Sequence, residues 1–254
     1  ILGVIFISTG MGILGVVLGF LLAVIITALS ALLMGFTKDN SEGKALDISE
    51  PSTRIVTNPL TYGAIASLSA ILLYLPGTLD VIIARATLST EESGLYSMST
   101  TTAKMNIMAA MAISMFIFPK IVTRINRQQP YWELVRVSLI GVASFSLFVA
   151  AGTWLFTDQI ISLTFGQDFQ DGAKLLRWYS IAIVPFTLVI ILTRSYLASG
   201  QTKIIFLLAG FNLTLWPWII VTNAKPIEMI AALAIVNVAF LTSLFIFRRN
   251  IDHG

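Results

Sequence analysis

An all-α, polytopic membrane fold follows from three features of this sequence. Apolar runs that approach or exceed the ~20 residues needed to cross a bilayer core as helix recur along the chain. Charged residues make up only 11% of it, well under the ~25% of soluble domains. The runs are apolar on every face, where β-barrel strands would alternate. A mean hydropathy of +0.87 agrees. About seven transmembrane helices are expected, one of them followed by a six-helix bundle.

Charge and composition exclude several functions. The net charge of +3 and a pI near 9.3 would suit a nucleic-acid partner. The basic residues, however, sit in short loops between apolar runs, which is the orientation signal of a membrane protein, and no nucleic acid is expected. The absence of cysteine removes disulfides, thiol catalysis and cysteine metal sites. The one histidine, His253, lies at the extreme C-terminus. No phosphate loop, metal-binding histidine cluster or nucleophile elbow is present, so no catalytic residue, metal or cofactor is expected. The apolar start at Ile1 is expected to lie inside a larger protein.

Taken in order, residues 1–36 read as the last helix of a preceding bundle, with a complete span from about Met11 to Phe36. It carries Gly15 and Gly19 at a spacing that lets helices approach closely. Residues 37–56 mix Lys38, Lys44 and Arg54 with Asp39, Glu42, Asp47 and Glu50 and read as a cytoplasmic linker. Residues 57–249 supply six further spans, and 250–254 a tail.

The spans are expected at about Pro59–Ala86, Gly94–Pro119, Leu134–Phe156, Ala173–Ala198, Thr202–Val221 and Ile227–Phe247. Pro76 is expected to kink the first of these and to leave a carbonyl unpaired, which would admit water. Pro185 is expected to kink another. Ser89–Gly94 reads as an acidic turn between two spans, and Ile160–Phe165 as a short interfacial segment.

Alternating the loops places ten basic residues on one side, among them Lys120, Arg124, Arg127, Arg136, Lys203, Arg248 and Arg249. Four fall on the other: Arg85, Lys174, Arg177 and Lys225. The richer side is cytoplasmic by the positive-inside rule, and with it the C-terminus.

The helical hairpin from Leu72 to Pro119 organises the rest. Asp80 and Lys104 interrupt its two apolar runs, and a charge there costs roughly 2.5–3.5 kcal/mol unless it meets a partner or water. Counting at 1.5 Å per residue puts them about 9 and 15 Å from the hairpin tip, a gap that a lysine side chain can close. Arg85 lies about 140° round the helix from Asp80 and points elsewhere. Two readings stand for the pair: a structural ion pair, or groups lining a transport path. Ser97, Thr101 and Lys104 share a face; the Ser97–Thr102 cluster either lines a cavity or bonds back to its own helix. Arg177 and Arg194, near span ends, read as interfacial anchors, with phosphate binding as the alternative.

Two stretches carry a resemblance to a known family. One runs from Leu75-Pro76-Gly77-Thr78-Leu79-Asp80 through Arg85, Glu92, Gly94 and Tyr96 to Phe118-Pro119. The other comprises Phe165-Gly166, Phe169, Leu175-Leu176 and Tyr196-Leu197-Ala198-Ser199-Gly200. Together they resemble the polysaccharide-export flippases of the multidrug/oligosaccharidyl-lipid/polysaccharide exporter superfamily.

The resemblance implies two six-helix bundles alternating access across the plasma membrane, of which this chain is the C-terminal half. The N-terminal bundle would be the missing partner and a lipid-linked sugar the substrate. The cavity residues would be Asp80, Lys104, Thr101 and Arg177. A cation-coupled exporter of the same superfamily, or a non-transporting assembly subunit, is the alternative.

Overall fold

The computed structural model describes residues 22, 59–222 and 224–252. The chain divides into two units, Ile1–Pro51 and Ser52–Gly254. All the elements below belong to the second. The expected span at Met11–Phe36 and most of the 37–56 linker belong to the first, and apart from Leu22 both lie outside the described residues.

The described part of the second unit consists of helices joined by short turns, with no strands. The elements are α1 (Pro59–Tyr74), α2 (Pro76–Thr87), α3 (Thr90–Asn126), α4 (Trp132–Leu155), α5 (Thr157–Thr164), a 3-10 turn (Gln167–Gly172), α6 (Ala173–Ala182), α7 (Val184–Ala198), α8 (Ile204–Thr222) and α9 (Pro226–Asp252). Among the described residues, four helices are long and apolar enough to cross a membrane, or five if the bent α1–α2 pair counts as one span. Part of α8, Ile204–Leu215, is a shorter apolar helix.

Prolines set the breaks. Pro76 opens α2 after a bend of 44°. Pro185 falls in the first turn of α7, where its missing N–H costs nothing; at the expected kink there is a one-residue irregularity at Ile183 within a single span, Gln167–Ala198. Pro119, expected to end its span, lies inside α3, which continues to Asn126. The basic loop thus shrinks, because Lys120 and Arg124 extend a helix. The expected acidic turn shortens too. Ser89 accepts a bond from the Glu92 N–H and the Glu92 carboxylate accepts from the Ser89 N–H. This capping box starts α3 at Thr90, and the acidic first turn suits the helix dipole.

α3 and α7 form the centre. α3 packs on α4, α6 and α7, while α9 lies against α6 and α7. α2 packs on α3, but α1 packs on α8. Buried polar groups join the helices where lipid offers no hydrophobic drive. Asn106 Nδ2 donates to the Ser146 carbonyl at 3.1 Å, and the Ser146 and Thr187 hydroxyls meet at 3.0 Å. Tyr196 Oη donates to the Leu244 carbonyl at 2.7 Å. Phe116, Phe148 and Phe206 are exposed on the outside, as lipid-facing residues are.

Candidate functional site

The break at Leu75–Pro76 places the polar groups. Proline has no N–H to offer the Leu72 carbonyl four residues earlier. The expectation of an unpaired carbonyl does not hold, because Asn212 Nδ2 of α8 donates to Leu72 O at 3.0 Å. A side-chain amide from a neighbouring span thus replaces the lost backbone bond, and α1 is held to α8 at its end.

On the other side of the break, Asp80 and Lys104 meet. Lys104 Nζ donates to Asp80 Oδ1 at 3.1 Å and to the Gly77 carbonyl at 2.6 Å. Tyr179 Oη of α6 donates to Asp80 Oδ2 at 2.6 Å, and the Val81 N–H donates to Oδ1 at 2.7 Å. Asp80 is 1% exposed, so its carboxylate is removed from solvent and has a donor on each oxygen. The Lys104 side chain remains 20% exposed, and its ammonium lies 5.8 Å from the Tyr179 ring centroid, within cation–π range. Tyr96 packs edge-on against Tyr179 at 6.1 Å. Its hydroxyl is buried with no hydrogen-bond partner among the described residues. Asp80, Lys104 and Tyr179 therefore tie three helices, α2, α3 and α6, at one level.

The other sequence-predicted residues sit apart from this cluster. Thr101 is exposed one turn before Lys104. Its neighbours bond back to their own helix: Ser97 to the Ser93 carbonyl, Thr100 to Ser97, Thr102 to Met98. Arg177 reaches both oxygens of Asp158 through one nitrogen, at 3.0 and 3.1 Å. With the two side chains 36% and 60% exposed, that pair contributes under ~1 kcal/mol.

Described protein families, curated proteins and solved structures include no match to this chain. The site is therefore read from its own chemistry.

Arg194 behaves differently from an interfacial anchor. It is half-buried on α7, and its Nη2 donates to Tyr74 Oη of α1 at 2.9 Å. There it borders a cleft of about 260 Å³ between α1, α3 and α7, lined also by Ser69, Tyr74 and Phe118. The cleft exists because α1 leans onto α8 and away from α3 below the Pro76 break. Neither Asp80 nor Lys104 lines it.

Tyr179, Tyr74 and Asn212 were not singled out by sequence as site residues. Tyr179 stands two residues from Arg177, about 200° round the helix, so an exposed arginine implies a tyrosine facing the bundle. Asn212 was legible as a buried amide within an apolar run.

Proposed function

We propose that this chain is the C-terminal half of a membrane transporter that moves lipid-linked oligosaccharide or polysaccharide precursors across the plasma membrane by alternating access. The observation that carries this reading is the broken first span, with an ionisable pair on one side of the break and a cleft bordered by Arg194 and Tyr74 on the other. Discontinuous helices that line polar cavities mark substrate paths in transporters, and intramembrane ionisable groups are costly enough to imply a task. The resemblance of Leu75–Asp80 and Phe165–Phe169 to polysaccharide-export flippases supplies the substrate class.

In this mechanism the upper half, α2, is fixed to α3 and α6 by Asp80, Lys104 and Tyr179. The lower half, α1, is the element that leans toward or away from α3. On this reading Thr101 and the exposed part of Lys104 face the substrate path apart from the cleft that Arg194 borders. Arg177, paired with Asp158, is its outer edge. The C-terminus lies on the cytoplasmic side, which receives Lys120, Arg124 and Lys203.

A second reading, a cation-coupled exporter, draws on Asp80, the buried carboxylate among the described residues. A coupling ion would have to displace Lys104 from it. The test is flipping of a fluorescent lipid-linked oligosaccharide in vesicles, with and without an imposed proton or sodium gradient, by the chain together with its N-terminal bundle. Flipping of the lipid-linked sugar supports the first reading. Gradient-driven export of small cations with no lipid flipping supports the second, and movement of neither leaves the chain an assembly subunit.

A further inference from the structure

We propose that the cleft bordered by Arg194 binds a phosphate group. The first argument is charge. Arg194 lies within the Gln167–Ala198 span, is half-buried, and among the described residues its side-chain partner is a neutral tyrosine hydroxyl. The ion pairs among the described residues are Asp80–Lys104 and Asp158–Arg177, so no described carboxylate balances it. A guanidinium withdrawn from water is stabilised by an anion, and its planar fork matches the oxygens of phosphate.

The second argument is independent. Ser114 is 2% exposed, and its Oγ has no hydrogen-bond partner among the described residues. It lines a small cavity of about 10 Å³ that Arg194 also lines. A buried hydroxyl without a partner costs roughly 1–3 kcal/mol. Arg194 therefore lines two spaces that carry unused or shareable polar groups, Ser114 in one and Tyr74 and Ser69 in the other.

Size narrows the ligand. A cleft of about 260 Å³ is smaller than the ~300–1,000 Å³ of sites that enclose a drug-sized molecule. It suits a head group whose apolar remainder stays outside. Leu73 and Leu197 line the same cleft, offering contact to the first carbons of a lipid. Arg194 takes the phosphate, and Tyr74 orients the guanidinium. The phosphate comes from a lipid head group or from a free phosphate. That it is cargo rather than a resident lipid rests on the transport reading; binding itself does not.

The experiment measures binding to the purified full chain in a neutral, phosphate-free detergent by thermal shift and native mass spectrometry. The probes are phosphatidic acid, diacylglycerol with the same chains, and inorganic pyrophosphate. Phosphatidic acid is expected to bind and raise Tm, diacylglycerol to do neither, and Arg194→Gln to weaken binding by roughly tenfold or more. Arg194→Lys, which keeps the charge and loses the fork, should fall between. Stabilisation by pyrophosphate alone assigns a soluble ligand, and stabilisation by the lipid alone assigns a head group. If Arg194→Gln fails to fold, Tyr74→Phe carries the test and is expected to weaken binding measurably. Equal affinity of wild type and Arg194→Gln, or equal stabilisation by diacylglycerol, overturns the proposal. Flipping assays on the same variants report on transport separately: binding without flipping sinks the transport reading and leaves the phosphate site standing.

Discussion

Removing Lys104 should destabilise the protein more than removing Asp80, and removing both should cost less than removing Lys104. In Lys104→Met, Asp80 keeps its burial, with 1% exposed, and retains Tyr179 Oη and the Val81 N–H as donors. A carboxylate stranded in that position costs ~3–5 kcal/mol. In Asp80→Asn the amide still accepts from Tyr179. Lys104, with its side chain 20% exposed, keeps the Gly77 carbonyl at 2.6 Å, so the loss is nearer ~1.5–3 kcal/mol. The double variant leaves no isolated charge and should return to within ~1–2 kcal/mol of wild type, because replacing a whole buried pair is often close to neutral. Thermal unfolding in detergent is the assay. At roughly 2–4 °C per kcal/mol for a chain of this size, Lys104→Met should lower Tm by on the order of 10 °C. An Asp80→Asn variant less stable than Lys104→Met would refute the reasoning, as would a double variant worse than both. Transport separates the two roles of the pair. Recovery of transport in the double variant marks a structural tie, whereas stable single variants that never transport mark contact with cargo or ion.

Further outcomes follow from the same geometry. Asn212→Leu leaves the Leu72 carbonyl beside Pro76 without its amide donor and should cost roughly 1–3 kcal/mol, read as a fall in Tm; an unchanged Tm would show that another donor takes over. Tyr96→Phe removes a buried hydroxyl that has no partner and should leave stability equal or higher. A loss above ~1 kcal/mol would mean that the hydroxyl is bonded after all. Single cysteines at Gln128 and Gln129 should resist an impermeant thiol reagent applied from outside intact cells, while cysteines at Glu91 or Gln167 should be labelled. The reverse pattern would invert the proposed orientation.

The helices of the second unit were legible because lipid as solvent forces long apolar runs, and the proline breaks because proline lacks a donor. The Asp80–Lys104 contact was legible by counting residues from the hairpin tip. Tyr179 as its third member was not, since it lies 99 residues from Asp80 and its sequence neighbours resemble an interfacial belt. Arg194 was left between anchor and phosphate binder for a related reason. A terminal position suggests an anchor, but α7 is buried on most of its faces, including Val189, Ile190, Ile191 and Leu192. A side chain there meets neighbouring helices before it meets lipid. The turn before α3 was drawn too long because Glu91 and Glu92 look like loop residues, whereas the capping box and helix dipole recruit them into the first turn.

The most direct test of transport through the broken span uses the absence of cysteine in the chain. Cysteines at Ala70 of α1 and Phe118 of α3, which line the cleft from opposite walls, can be joined by a short, reducible crosslinker. In vesicles carrying this variant with the proposed N-terminal bundle, flipping of a fluorescent lipid-linked oligosaccharide should fall to background on crosslinking and return on reduction. Undiminished flipping with α1 locked to α3 would contradict the account.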